Sequence, residues 1–204
     1  MTILLIRHGE TDSNRERIVQ VPETPLSQRG LEQAELLGAR LSNAGITQVL
    51  SSDLVRARMT AEAVARHSGA PLDLDASLQE RNFGDLRGHS YRELGIDIMA
   101  PGYDPPGGES WEVFHVRVNR AWSRIRAASE NTGGELAVVC HGLVCYSLAL
   151  HHLSLGEYQA ETPRSWRNTG VTLVDAGPPW EIRLLDCTAH LDGTGAQAGG
   201  VSGL

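Results

Sequence analysis

A disulfide framework, a basic leader, an unbroken membrane-length apolar run and an excess of positive charge are all missing from this 204-residue chain. Its three cysteines, Cys140, Cys145 and Cys187, are too few and too unevenly spaced for a disulfide scaffold, and no pair has the C-x-x-C spacing of a zinc or redox site. They lie in or beside apolar runs, so they read as reduced core residues of a cytoplasmic protein. A formal net charge of -7 argues against nucleic acid as a partner, where affinity comes from clustered Lys and Arg on phosphates. It says little about a small anionic ligand, which responds to local arginines. With no basic leader before the first apolar run, no signal peptide is expected. Between Leu136 and Leu155 there is no Asp, Glu, Lys or Arg, a length that raises the question of a membrane span. His141-Gly142 splits that stretch and His151 and His152 lie near its end, so it reads as strand, turn and helix, with no membrane partner.

What is present is the composition of a globular domain, 41% hydrophobic and 21% charged, long enough to bury a core without metals or disulfides. Residues 2–6 form an uncharged, branched run that reads as a buried strand ending at Arg7-His8-Gly9. A second run, 136–140, stops at another His-Gly pair, His141-Gly142. Two such strands side by side and parallel would bring both histidines to one rim of a sheet, where crevices of open α/β sheets lie. Further strands are expected at 47–50 and 71–74, and a hairpin at 171–175 and 180–185. Residues 15–25 read as a loop. Ser27 caps a helix carrying Leu31, Ala34, Leu37 and Leu41, another runs over 54–67, and Ser110 caps a long one carrying Trp111, Phe114, Val118, Trp122 and Ile125. A short helix is expected between Ser90 and Met99. The pattern implies a three-layer α/β/α sandwich with a mostly parallel central sheet of about six strands and one antiparallel edge strand. Residues 1–191 would form one domain, with the Gly- and Pro-rich segment 84–110 as a lid or specificity loop and 192–204 as a flexible Gly-rich tail.

Several short motifs follow one another along this framework: Arg7-His8-Gly9-Glu10-Thr11 with Asn14, Ser51-Ser52-Asp53-Leu54 leading to Arg56-Ala57, Leu78-Gln79-Glu80-Arg81 with Gly84, Gly107-Gly108-Glu109-Ser110, and His141-Gly142. In this order they resemble the histidine phosphatase superfamily, also called the phosphoglycerate mutase-like family, from residue 2 to about His190. The resemblance implies metal- and cofactor-free hydrolysis of a small phosphorylated metabolite. His8 would be the nucleophile that carries the phosphoryl group. Arg7, Arg56 and His141 would bind it, with Asn14 as an uncharged donor and Gly142 beside them. Glu80 would be the acid/base carboxylate. Two departures stand out: Val21 follows Gln20 where many members have glycine, and Ser13 occupies a position often aromatic, which makes that loop roomier.

Physical chemistry supports the same assignments. Phosphate monoesters hydrolyse so slowly that enhancements reach ~10²¹, and a covalent phosphohistidine divides one hard displacement into two easier ones. His8 needs an acceptor, such as a local backbone carbonyl, on its other ring nitrogen. Guanidinium forks suit three equatorial phosphoryl oxygens. Arg56 and Arg58, two apart on a helix, cannot both face the crevice. On sequence alone Glu10 and Glu109 rival Glu80, and Arg81 is either a ligand for a substrate carboxylate or a surface charge. A cofactor-dependent phosphoglycerate mutase is the runner-up function, and a non-catalytic phosphoryl-ligand module is the third. A homodimer is compatible with the sequence.

Overall fold

The computed structural model describes residues 1–160 and 166–194. Its frame is one six-stranded sheet in the order β3-β2-β4-β1-β5-β6, made of β1 (Thr2–Arg7), β2 (Ile46–Ser51), β3 (Leu72–Leu74), β4 (Glu135–Cys140), β5 (Val171–Asp175) and β6 (Ile182–Cys187). The helices are α1 (Asp12–Glu16), α2 (Gln28–Leu41), α3 (Val55–Ser68), α4 (Tyr91–Leu94), α5 (Trp111–Asn131) and α6 (Gly142–His151). Alternation along the strands sorts the core into two. Ile3, Leu5, Leu136 and Val138 pack with Phe114, Val118 and Ile125 of α5 and with Leu143 and Leu148 of α6. Leu4, Ile6, Ala137 and Val139 pack with Leu37 and Leu41 of α2 and Ala57, Ala61 and Val64 of α3. Successive strand residues point to opposite faces, so a sheet apolar on both sides must be covered on both. The result is the expected α/β/α sandwich.

The expected edge hairpin is present. Within it β5 is the strand that runs antiparallel, pairing with both β1 and β6, and β6 takes the outermost place. The segment after His8, read from sequence as loop from Arg15 on, begins with a short helix, α1, closed by a capping box in which Thr11 and Asn14 exchange side chain-to-backbone hydrogen bonds. Its residues are all polar and only Asn14 is buried, so hydrophobic periodicity gives no sign of it. Cys140 and Cys145 are buried, but Cys187, expected in the core, is only half-buried because β6 lies at the edge of the sheet. The tail expectation falls largely on 195–204, outside the described residues. Among the described residues no helix is long and apolar enough to cross a membrane. The stretch that raised the question is β4, a turn and α6.

The first turn of α2 presses on the loop that follows β1. Ser27 caps the helix by accepting from the Gly30 N–H at 3.0 Å. A Cβ at Gly30 would lie 1.9 Å from the Glu10 carbonyl oxygen, and one at Gly9 would lie 2.7 Å from that of Gly30. Both obstacles are backbone, which cannot step aside as a side chain could. Gly30→Ala is therefore expected to destabilise the protein by about 1–3 kcal/mol, the range for overpacking, seen as a lower urea midpoint at unchanged m-value. An unchanged midpoint would show that the contact is softer than it looks.

Candidate active site

The three parallel strands β2, β4 and β1 end together. Ser51 pairs with Val139 and Arg7 with Cys140, so Ser52, His141 and His8 leave the sheet at neighbouring points. The His8 and His141 ring centroids are 5.1 Å apart. His8 Nδ1 lies 2.7 Å from the Gly9 carbonyl oxygen. A carbonyl can only accept, so the ring hydrogen sits on Nδ1 and the lone pair on Nε2. Burial, then the charges of Arg56 and Arg7, hold the His8 pKa well below its ordinary value, and the ring is neutral near pH 7. The loop before β5 braces this turn, with Asn168 Nδ2 donating to the His8 carbonyl at 3.0 Å.

His141 is fully buried and is shifted well below its ordinary pKa by burial first and then by Arg56. Its Nε2 lies 2.9 Å from Ser52 Oγ, which also accepts from the Leu54 N–H at 3.3 Å. The serine hydroxyl is free to give its hydrogen to Nε2, and in that arrangement the ring hydrogen of His141 sits on Nδ1. That nitrogen has no hydrogen-bond partner among the described residues.

An open cavity of about 70 Å³ adjoins this cluster, and its wall includes Arg7, His8, Asn14, Arg56, Glu80 and Gly142. His141 is not among the wall residues but adjoins His8, which is. Arg7, the last residue of β1, is buried and donates to the Trp166 carbonyl. Arg56, in the first turn of α3, is 3% exposed and donates to the Val21 carbonyl at 3.2 Å. Burial lowers its pKa to about 10, which leaves it charged at any working pH. Arg58 faces the other way and pairs with Glu62. Asn14 uses Oδ1 to accept from the Thr11 N–H and from Asn168 Nδ2, so its amide nitrogen is the end offered to the cavity.

Packing separates the three rival carboxylates. Glu80 lines the cavity, accepting from the Arg81 N–H at 3.0 Å and from the Leu143 N–H, in the first turn of α6, at 3.2 Å. Burial raises its pKa, against the opposing pull of those hydrogen bonds and of Arg56 and Arg7. Glu10 is turned toward α2, accepting from Ser27 and lying 3.7 Å from Arg29. Glu109 is paired with Arg117 at 2.7 Å and accepts from the Asn82 N–H at 2.8 Å. Arg117 also donates to the carbonyls of Ser77, Gln79 and Glu80, so this ion pair braces the backbone on both sides of Glu80.

Arg81 touches the cavity, but its guanidinium is engaged elsewhere. It donates to the carbonyls of Glu109 and Tyr103 and lies 4.0 Å from the centre of the Trp111 ring. Its Nη1 has no partner among the described residues. Residues missed from the sequence are Ser52, whose motif was noted without a role, and Arg17, Arg87 and Tyr91 in the cavity wall. Those three sit in irregular or one-turn segments, where no periodicity marks an inward-facing side chain. Among the described residues no group of three or more His, Cys, Asp or Glu is placed to hold a metal ion.

A family model described as the histidine phosphatase superfamily (branch 1) matches residues 3–185. A Citrobacter koseri protein named "Probable phosphoglycerate mutase GpmB" is 31% identical over 94% of this chain and 95% of its own length. Fructose-2,6-bisphosphatase TIGAR of Xenopus tropicalis is 38% identical over 56% of this chain, and the match spans only 46% of that relative's length. Among solved structures, the α-ribazole phosphatase of Shigella flexneri superposes with a TM-score of 0.78 at 28% identity, covering 93% of this chain and 98% of that one. A mycobacterial glucosyl-3-phosphoglycerate phosphatase superposes at 0.74 with 26% identity, covering 91% and 97%.

Proposed function

The chain belongs to the histidine phosphatase superfamily, and from that membership we propose that it is a metal-independent phosphomonoesterase acting on a small phosphorylated metabolite through a phosphohistidine on His8. The observation that carries this reading is His8 itself. Its Nδ1 is held by the Gly9 carbonyl, leaving a nucleophilic nitrogen in a cavity whose wall includes the buried Arg7 and Arg56 and the carboxylate of Glu80.

In the first step His8 Nε2 attacks phosphorus, and the bond from phosphorus to the ester oxygen breaks. Glu80, kept protonated to higher pH by burial, gives its proton to the departing alkoxide. Arg7, Arg56 and the Asn14 amide hold the phosphoryl oxygens, and the Nδ1 hydrogen of His141 is a further donor. In the second step the Glu80 carboxylate takes a proton from water as that water attacks phosphorus. The N–P bond breaks, and His8 and protonated Glu80 are restored. Residues 1–191 act as one domain in this reading, with 84–110 as the substrate-facing segment. The proposed compartment is the cytoplasm, in keeping with three cysteines and no disulfide framework.

Relatives named as mutases favour a second reading, in which the phosphoryl group returns to another hydroxyl. Incubation with 3-phosphoglycerate in EDTA separates the two. Free phosphate is the expected product, and 2-phosphoglycerate without phosphate would overturn the hydrolytic reading.

The brace around Glu80 has its own consequence. Removing the guanidinium in Arg117→Met frees three carbonyls and unpairs Glu109, so the acid should lose its position rather than its chemistry. We expect kcat to fall by up to about 10²-fold, the cost of a displacement near 1 Å. KM should change little and the alkaline limb of the pH profile should move. A proportional loss in kcat and folded fraction with an unmoved profile would mean that the pair serves stability alone.

A further inference from the structure

We propose that Arg17 and Arg87 form a second anion-binding subsite at the mouth of the same cavity, so that the preferred substrate is a phosphate monoester whose alcohol part carries another anionic group, a carboxylate or a second phosphate. This rests on the phosphomonoesterase reading and narrows its substrate class.

The charge lining the cavity motivates it. Arg7, Arg17, Arg56, Arg81 and Arg87 line the wall, against a single described carboxylate, Glu80, which must be neutral to act as an acid. Arg81 is tied to two loop carbonyls and stacked on Trp111. Arg7 and Arg56 act directly on the His8 ring and suffice for a phosphoryl group of charge about −2. That leaves Arg17 and Arg87. Neither has an acidic partner within ion-pair distance among the described residues, although most other surface arginines of this acidic chain do. Two uncompensated guanidiniums facing one cavity repel each other and attract an anion.

Their backbones are held in place before any ligand arrives. Arg17 closes α1 in the left-handed region at φ 56°, its N–H bonded to the Asn14 carbonyl at 3.3 Å and its own carbonyl accepting from the Tyr91 N–H at 2.9 Å. Val19 N–H donates to the His89 carbonyl and Gly88 N–H to that of Val19, with a bridge between Ile18 and Ser90. These contacts lace the segment from α1 to the segment just after Arg87, so the two arginines come from opposite strips of one rim. Nothing about Asn14, Glu80 or the histidines requires that rim to be cationic. A bare phosphorylated alcohol would leave it unused.

The test uses the full chain and two matched substrate pairs, with phosphate release measured as kcat/KM. Glycerol 3-phosphate against 3-phosphoglycerate probes a carboxylate, and glucose 6-phosphate against glucose 1,6-bisphosphate probes a second phosphate. The doubly anionic member of at least one pair should be favoured by about tenfold or more, as expected for one charge-assisted hydrogen-bonded contact. The pair showing the preference identifies the anion. In Arg17→Gln/Arg87→Gln the ratio should collapse to about one, chiefly through KM. A wild-type ratio near one in both pairs, or a ratio that survives the double substitution, overturns the subsite while leaving the phosphomonoesterase reading standing. If none of the four compounds releases phosphate, that reading falls instead. Calorimetric binding of the same pairs to His8→Ala then decides the subsite, supporting it if the doubly anionic preference is present and depends on the two arginines, and overturning it otherwise.

Discussion

His8→Ala should lower phosphate release by more than about 10⁴-fold, because removing a covalent nucleophile abolishes the divided pathway rather than weakening it. The ring is buried at 2% exposure and its Nδ1 is engaged by the adjacent carbonyl, so no neighbouring group can take over the attack at Nε2. His141, 5.1 Å away between ring centroids, has one nitrogen on Ser52. Rapid acid-free quenching during turnover, followed by intact mass measurement, should find one added phosphoryl group on the wild-type protein and none on the variant. Since alanine removes a buried ring, His8→Asn serves as a second variant that keeps much of the volume. Wild-type-like turnover in either, or failure ever to find the modified chain, would end the phosphohistidine scheme.

Glu80→Gln carries the next largest expected effect, a loss of about 10²–10⁴-fold in kcat for alkyl phosphates, the range for general acid–base catalysis. The amide keeps the shape and can still accept one of the two backbone hydrogen bonds, but it cannot deliver a proton. Leaving group and pH make the prediction specific. An aryl phosphate whose alcohol is a good leaving group needs little protonation and should lose far less in the first step. In the wild type, activity should fall as pH rises through the upward-shifted pKa of Glu80, since the acid form is then lost. On the acid side the downward-shifted His8 remains neutral well below its ordinary titration range, so no loss is expected between pH 7 and 6.5 from that source. The alkaline descent should vanish in Glu80→Gln. If the variant is equally impaired on alkyl and aryl phosphates and keeps the descent, another group is the acid.

The cavity also bears on why an acidic protein can take an anionic substrate. The formal charge of -7 belongs to the surface as a whole, whereas the cavity wall holds five arginines. Interactions between exposed charges fade beyond a Debye length of about 8 Å at physiological ionic strength, while partly buried ones persist. Local composition therefore outweighs the total. An affinity for doubly anionic substrates should consequently weaken as salt is raised, more steeply than for singly anionic ones.

Much of this could be read along the chain, for a definite reason. Strand β1, the helix capped at Ser27, the long helix capped at Ser110 and the two His-Gly strand ends depend on interactions between residues close in sequence: alternation, caps and turns. That Arg56 and Arg58 could not both reach the crevice followed from helical geometry, and the motif order picked Arg56. The motif order that marks the family is likewise a linear property. Tertiary packing decided the rest. That Glu80 rather than Glu10 or Glu109 lines the cavity depends on Arg117 and Glu109 gripping the loop from α5 and its approach, at least 27 residues away. That Arg81 is held by loop carbonyls, that Ser52 bonds to His141, and that Arg17 and Arg87 line the same cavity all depend on how distant segments pack. Sequence spacing governs which residues can share a helix face or a strand end. It does not govern which of several equally plausible charges end up within reach of one another, because that depends on how whole elements pack and on the desolvation each charge must survive there.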